Sequence, residues 1–349
     1  TLDRSSAASD VYKRQDMLMA GKTLPGVYGA SSPRMNVADL RTKGWEASVT
    51  WGDSFTLASK PFNYRIMAGI GDNTSKVTKY DNPNRTLTDP YEGQQLGEIW
   101  GYVVDGYFKT DEEARNYKVD QSFVNQMINA SALDNGLHAG DLKFVDLDGN
   151  NKIEQTTSAN DRKDMKVIGN SLPRYNYNFG ISADWYGIDF SVLFQGIGKQ
   201  NWYPGAETSM FWGPYSRPYA SFIPSDFMSQ VWSEENTNAY FPRPRGYVAL
   251  GSNRELAVVN TKYLQNLAYC RLKNLSIGYT LPDKWLSKIG FEKIRVYFSG
   301  ENLLTFTKLH SDYIDPEQAS ASNSWKTSKS DANIYPWAKT YSFGVDITF

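Results

Sequence analysis

Asp146, Asp148 and Asn150 stand at alternate positions in the stretch of this chain whose residue types come nearest to a coordination site. They supply the first, third and fifth oxygen ligands of a calcium loop, and Ile153 stands where such loops place an apolar anchor. Glu154 could add an oxygen, directly or through water, and Asp161 could close the site. Two positions depart from the pattern. Asn151 occupies the sharp turn that favours Gly, and Thr157 stands where a bidentate Glu would complete the cage. Asn tolerates the left-handed backbone, whereas the lost carboxylate weakens the hold on a cation. The competing reading is a turn rich in Asp and Asn that binds no ion. A bound calcium ion would serve to order the loop.

Other chemistry is sparse. The only histidines are His138 and His310, and no Gly-x-Ser-x-Gly, phosphate-cradling glycine loop or Cys/His cluster occurs. Glu234 with Glu235, or Asp312 with Asp315, has the composition of a glycosidase acid/base pair, but paired carboxylates in a polar loop are ordinarily solvated surface. The expectation is that the chain is not an enzyme. Cys270 is a lone thiol, which excludes an intrachain disulfide and suits a small packed side chain. Tyr203, Trp212, Tyr215 and Tyr219 could stack on sugar rings as substrate contacts; packing on one another is the alternative.

The elements that must carry these loops are strands. Lysine plus arginine (37) nearly balance aspartate plus glutamate (38) and are interspersed with them, so no basic footprint for nucleic acid exists. The 23 Tyr, 17 Phe and 10 Trp favour β structure. No apolar run is long enough for a membrane-spanning helix, which leaves open a barrel, whose strands need only about 9–11 alternating residues. Alternation is strongest at 174–185, where Tyr175, Tyr177, Phe179, Ile181, Ala183 and Trp185 oppose Asn176, Asn178, Gly180, Ser182 and Asp184. Six further strands are expected at about 43–51, 62–79, 187–203, 267–281, 293–305 and 338–349, with short helical segments near 111–117 and 283–289. The connections alternate: turns of about ten, two and eleven residues, and loops of about ninety, sixty and thirty. Short turns at one end and long loops at the other are the habit of a transmembrane barrel. Trp51, Trp185 with Tyr186, and Trp202 with Tyr203 fall at expected strand ends, as interfacial girdles require.

The final strand, TYSFGVDITF, puts Tyr341, Phe343, Val345, Ile347 and Phe349 on one face. Ser342, Gly344, Ile347 and Phe349 match the spacing of the C-terminal assembly signal by which outer-membrane barrels resemble one another. Residues 1–15 are patternless and resemble a non-native tail, so 16–349 is taken as the fold.

Longer blocks carry a specific resemblance. NSLPRYNYNFGISADWYGIDFSVLFQ (170–195), GDLKFVDLDGNNKIE (140–154), LKNLSIGYTLPDKWLSKIGFEKIRVYFSGENLLTFT (272–307), DYIDPE (312–317) and YPWAKTYSFGVDITF (335–349) make the chain similar to the C-terminal barrel of SusC/RagA TonB-dependent transporters. The resemblance implies an all-β fold: a partial antiparallel transmembrane barrel, the last third of 22 strands, with long extracellular loops. It also implies import of oligosaccharides or peptides across a Gram-negative outer membrane. The partners would be a SusD-like surface lipoprotein, the TonB complex acting through an N-terminal region outside this chain, the barrel assembly machinery and outer-membrane lipid. Asn176, Asn178, Ser182, Asp184, Arg295 and Glu301 would border the passage. The rival readings are a secreted soluble β protein that binds glycans through exposed aromatics and, more weakly, a secreted glycosidase.

Overall fold

A computed structural model describes residues 2–349 except 22–24, 30, 32, 125–135, 218–221, 245, 252, 287–289, 320–328 and 331–334. Alternating side chains become one eight-stranded antiparallel sheet: β1 (Leu2–Ala20), β2 (Arg34–Leu57), β3 (Lys60–Lys79), β4 (Arg174–Trp185), β5 (Ile188–Lys199), β6 (Tyr269–Thr280), β7 (Lys293–Thr307) and β8 (Thr340–Thr348). They lie side by side in chain order, so every neighbour is reached by a simple up-and-down step. No helix among the described residues is long and apolar enough to cross a membrane, which says nothing of a crossing by strands.

Two differences from the sequence reading have plain causes. The eighth strand is β1, formed mostly by residues set aside as a tail. It pairs with β2 from Leu2↔Trp51 to Ala20↔Arg34. An unpaired β2 edge offers a row of N–H and C=O groups that any extended segment can satisfy, so patternless side chains do not prevent pairing. The first hairpin turn is also two residues long rather than ten. Strand pairing continues to Leu57↔Lys60, Phe55 packs on Phe62 with ring centroids 5.0 Å apart, and Ala58 and Ser59 both take positive φ. Such a turn matches the twist of its strands.

The other short connections are Tyr186–Gly187 and the 281–292 segment, which contains the brief helix Asp283–Leu286. Long segments occupy 80–173, 200–268 and 308–339, all at the opposite end of the sheet. They fold onto one another as a crown. Glu98–Tyr102 pairs with Met165–Asn170, Val104–Tyr107 pairs with Leu142–Phe144, and Tyr102 and Val259 join the first long segment to the second. The helix Asp111–Arg115 is capped by Thr110, whose hydroxyl accepts from the Glu113 N–H. Arg271 on β6 is buried and pairs with Asp315 at 2.6 Å and Glu317 at 2.7 Å, tying the third long segment to the sheet. Removing the arginine would strand a buried carboxylate.

Candidate functional site

The burial pattern is inverted relative to a soluble β protein. The largest buried cluster lies in the crown and contains Trp202, Tyr203, Phe211, Trp212, Tyr215, Phe241 and Tyr263. The sheet instead exposes its apolar side chains. Register shows why they form a continuous surface: Trp51, Ile66, Ile181, Val192, Leu275, Gly300 and Tyr341 fall in one cross-strand row. One rung towards the short turns the row reads Tyr64, Ala183, Phe190, Ile277, Phe298 and Phe343. Exposure reaches 83% at Phe343 and 82% at Phe349. An apolar area this broad is an interaction surface.

The opposite face is polar. Arg65, Ser182, Ser191, Ser276, Ser299 and Ser342 form one cross-strand row, five serines on five consecutive strands. Towards the short turns, Arg295 pairs with Asp189 at 2.6 Å and Asp346 at 3.3 Å, and Asn63 Nδ2 donates to Asp184 at 2.8 Å. Asn176, Asn178, Ser182, Asp184, Arg295 and Glu301 all belong to this face by alternation and register. The serine row itself escaped the sequence reading because alternation within one strand does not report its register with the next.

Girdle residues are placed differently from expectation. Trp45 marks the crown side of the apolar face, and Phe55, Phe62 and Trp185 mark the turn side. Trp51 lies between them because β2 runs on past it to Leu57. Trp202 and Tyr203 belong to the crown core at 0% exposure.

The same burial corrects the proposed stacking platform. Tyr203 donates to the Leu256 carbonyl at 2.8 Å, Trp212 Nε1 to the Gly205 carbonyl at 2.9 Å and Tyr215 to the Pro242 carbonyl at 2.7 Å. These three rings pack on protein, with their polar ends satisfied, and present no face to a ligand. Tyr219 lies outside the described residues. Glu234 and Glu235 are exposed, and Asp315 is held by Arg271, so the imagined acid/base pairs are surface and ion-pair groups.

The acidic loop is ordered by its own carboxylates. Asp146 accepts from the Gly149 and Asn151 N–H groups, both at 2.7 Å, and Asp148 accepts from the Asn150 N–H at 3.1 Å. Asn151 takes φ 63°, the left-handed turn anticipated from its type. The carboxylate that joins Asp146 and Asp148 is that of Asp164, with ligand oxygens within 4.8 Å of one another. Asp161 instead accepts a hydrogen bond from Thr156 at its backbone carbonyl. Asp164 is buried and accepts from the Glu154 and Leu147 N–H groups at 2.7 and 2.9 Å. Desolvation raises its pKa above the ordinary aspartate value despite those donors. Asn150 Nδ2 donates to Glu154 at 3.2 Å, which leaves Glu154 on the rim beside Lys163 at 3.5 Å.

No family model matches the sequence. Curated relatives do. The chain is 27% identical over 368 residues to TonB-dependent receptor P3 of Formosa agariphila, covering 99% of this chain and 32% of the relative. It is 25% identical to TonB-dependent receptor P39 of the same organism, covering 99% and 34%. Against TonB-dependent receptor SusC of Bacteroides thetaiotaomicron it is 21% identical, covering 97% and 29%. The fold superposes on a structure described as the RagAB peptide transporter with TM-score 0.65 at 20% identity, covering 99% of this chain and 34% of that one. The chain therefore spans about a third of the length of the curated relatives it matches, and these relatives are receptors rather than enzymes. Sequence and fold agree that the chain resembles, along nearly its whole length, a portion of a TonB-dependent receptor of the SusC/RagA kind.

Proposed function

We propose that the eight-stranded sheet forms part of the barrel wall of a TonB-dependent importer in a Gram-negative outer membrane. In this reading the apolar face meets lipid, the serine-lined face borders the passage, and the crown faces outside. The carrying observation is the inversion itself: apolar residues exposed in rows on the sheet, apolar core confined to the crown. Water disfavours that surface, whereas a bilayer requires it. The soluble glycan-binding reading loses its platform, because Tyr203, Trp212 and Tyr215 are buried.

The cargo in this proposal is a nutrient oligomer, an oligosaccharide or a peptide, delivered through a SusD-like lipoprotein. The description of one similar structure as a peptide transporter supports the peptide end of that range. TonB would act through segments outside this chain. Ser342, Gly344, Ile347 and Phe349 would serve the assembly machinery: the first two lie on the inner face, while Ile347 and Phe349 lie on the outer. In the crown, Asp146, Asp148 and Asp164 would hold a calcium ion, with Asn150 and Glu154 at its rim. The ion would offset three clustered negative charges and order the loop.

The test is to tag the protein expressed from its complete reading frame and fractionate the cells. The expected result is a heat-modifiable barrel in the outer membrane that copurifies with a lipoprotein and whose deletion abolishes growth on one oligomer. Recovery in the soluble fraction without detergent would refute the proposal.

A further inference from the structure

A basic groove sits on the outward face, immediately beyond the apolar band. Arg41 on β2 lies directly opposite Lys76 on β3, and Lys43, two residues on, lies opposite Thr74. Directly paired residues share a face, and alternation carries that face unbroken from Arg41 and Lys43 to Trp45, Ala47 and Val49. Thr42 and Ser75 point the other way and hydrogen-bond to each other at 2.7 Å. The three cations line a groove of about 470 Å³ with Thr74, Thr78 and Glu92. All three are exposed, and none of them forms an ion pair with a carboxylate among the described residues. Of the other acids on this face, Asp72, opposite Trp45, is already held by Arg174, and Asp39, two residues before Arg41, accepts from the Asp16 N–H at 2.8 Å. Glu92 is the groove's one carboxylate.

Like charges set directly opposite each other across two strands destabilise the pair, so this arrangement asks for an anion. Its position says which. Lys43 stands about 7 Å and Arg41 about 13 Å past Trp45 along the strand, or about 5 and 10 Å in depth at a tilt of about 40°, which sets them just beyond the apolar band, level with the headgroups. We propose that Arg41, Lys43 and Lys76 bind the phosphate groups of a phosphorylated glycolipid in the outer leaflet, with its acyl chains lying along Val49, Ile66 and Ile70. The guanidinium engages phosphate oxygens in a bidentate fork, and the two ammonium groups complete the charge. The site would hold an annular lipid on the wall and has no part in the passage. It rests on the barrel reading, because only a bilayer places a headgroup at that rung.

The experiment uses the receptor from its complete reading frame, purified in detergent, with lipid A as probe. Three preparations are compared: wild type, R41Q/K43Q/K76Q, and the charge-conserving R41K/K43R/K76R. Binding of lipid A, of chemically dephosphorylated lipid A, and of lipid A against inorganic phosphate is read by native mass spectrometry. With about a fivefold contribution from each cation near a lipid surface, the neutral variant should bind lipid A on the order of a hundredfold more weakly. The charge-conserving variant should bind it as wild type does, and the dephosphorylated lipid should not distinguish the three. Equal lipid A binding by wild type and neutral variant, both heat-modifiable barrels, overturns the site and leaves the barrel reading standing. Complete displacement by millimolar inorganic phosphate overturns the lipid assignment in favour of a free-anion site. A wild-type protein that never reaches the membrane fraction overturns the barrel reading beneath both.

Discussion

The two-faced wall makes a sharp prediction at one pair of adjacent residues, Val49 and Thr50. Trp45 and Phe55 on β2 bracket the apolar face, ten residues apart, or ~33 Å of strand at ~3.3 Å per residue. A strand tilted by about 40° projects that length onto ~25 Å, the height of the apolar band of an outer-membrane barrel. In the proposed wall residue 50 is the midpoint, so Val49 would lie within about 3 Å of the bilayer centre and face lipid. Val49→Arg should therefore cost about 2–4 kcal/mol, the midplane value, which corresponds to roughly a 30- to 700-fold loss in the folding equilibrium. Thr50→Arg, at the same depth on the polar face, should fall within about 0.5 kcal/mol of wild type. The assay is a guanidinium titration of the complete receptor in lipid vesicles, followed by tryptophan fluorescence and the heat-modifiable gel shift. In water a half-exposed Val49 would tolerate arginine about as well as Thr50 does. Equal midpoints for the two variants would therefore refute the assignment of lipid to this face.

Three further outcomes follow from named contacts. A Cβ on Gly344 would overlap the Tyr297 ring lying across it, so Gly344→Ala should slow barrel assembly in pulse-chase experiments and cost about 1–3 kcal/mol; Tyr297→Ala in the same chain should recover most of the loss. In the crown, His310 stacks on Tyr240 at 3.5 Å and shares a 2.8 Å hydrogen bond with Gln230. Burial lowers its pKa, Asp312 opposes that shift and Lys262 adds to it. The unfolded chain then takes up a proton that the folded crown resists, so crown stability should be flat above about pH 6.5 and fall as the pH drops below it. Hydrogen exchange of segment 204–265 at pH 8 and pH 5.5 should show the loss, and His310→Gln should remove it. Calcium titration should protect segment 146–164 from protease in the wild type and leave Asp164→Asn unprotected, whereas Asp161→Asn should behave as wild type.

Legibility in the sequence followed the reach of the forces involved. The strand at 174–185 could be read because its two faces meet different surroundings, and that difference is written at a period of two. Alternating short and long connections could be read because lengths need no coordinates. The turn at Ala58–Ser59 was hidden because neither residue advertises positive φ as Gly or Asn would. Asp164 was missed in favour of Asp161 because three residues of irregular backbone decide which carboxylate turns inward. Trp212 and Tyr215 read equally well as a binding platform or as core, since only the packing of three separate long segments distinguishes the two. Cross-strand placement of Arg41 against Lys76 is likewise a matter of register, which pairing settles and composition does not.

The row of five serines has a mechanical consequence. A hydroxyl both donates and accepts and turns freely about its bond, so Ser182, Ser191, Ser276, Ser299 and Ser342 present a band with no fixed polarity. Anything sliding across that band exchanges one hydrogen bond for an equivalent one at each step of about 5 Å, the spacing between strands. A charged or aromatic row would instead trap the moving body in a single well. For a body turning round the inside of such a wall, serine on each of five neighbouring strands amounts to low friction.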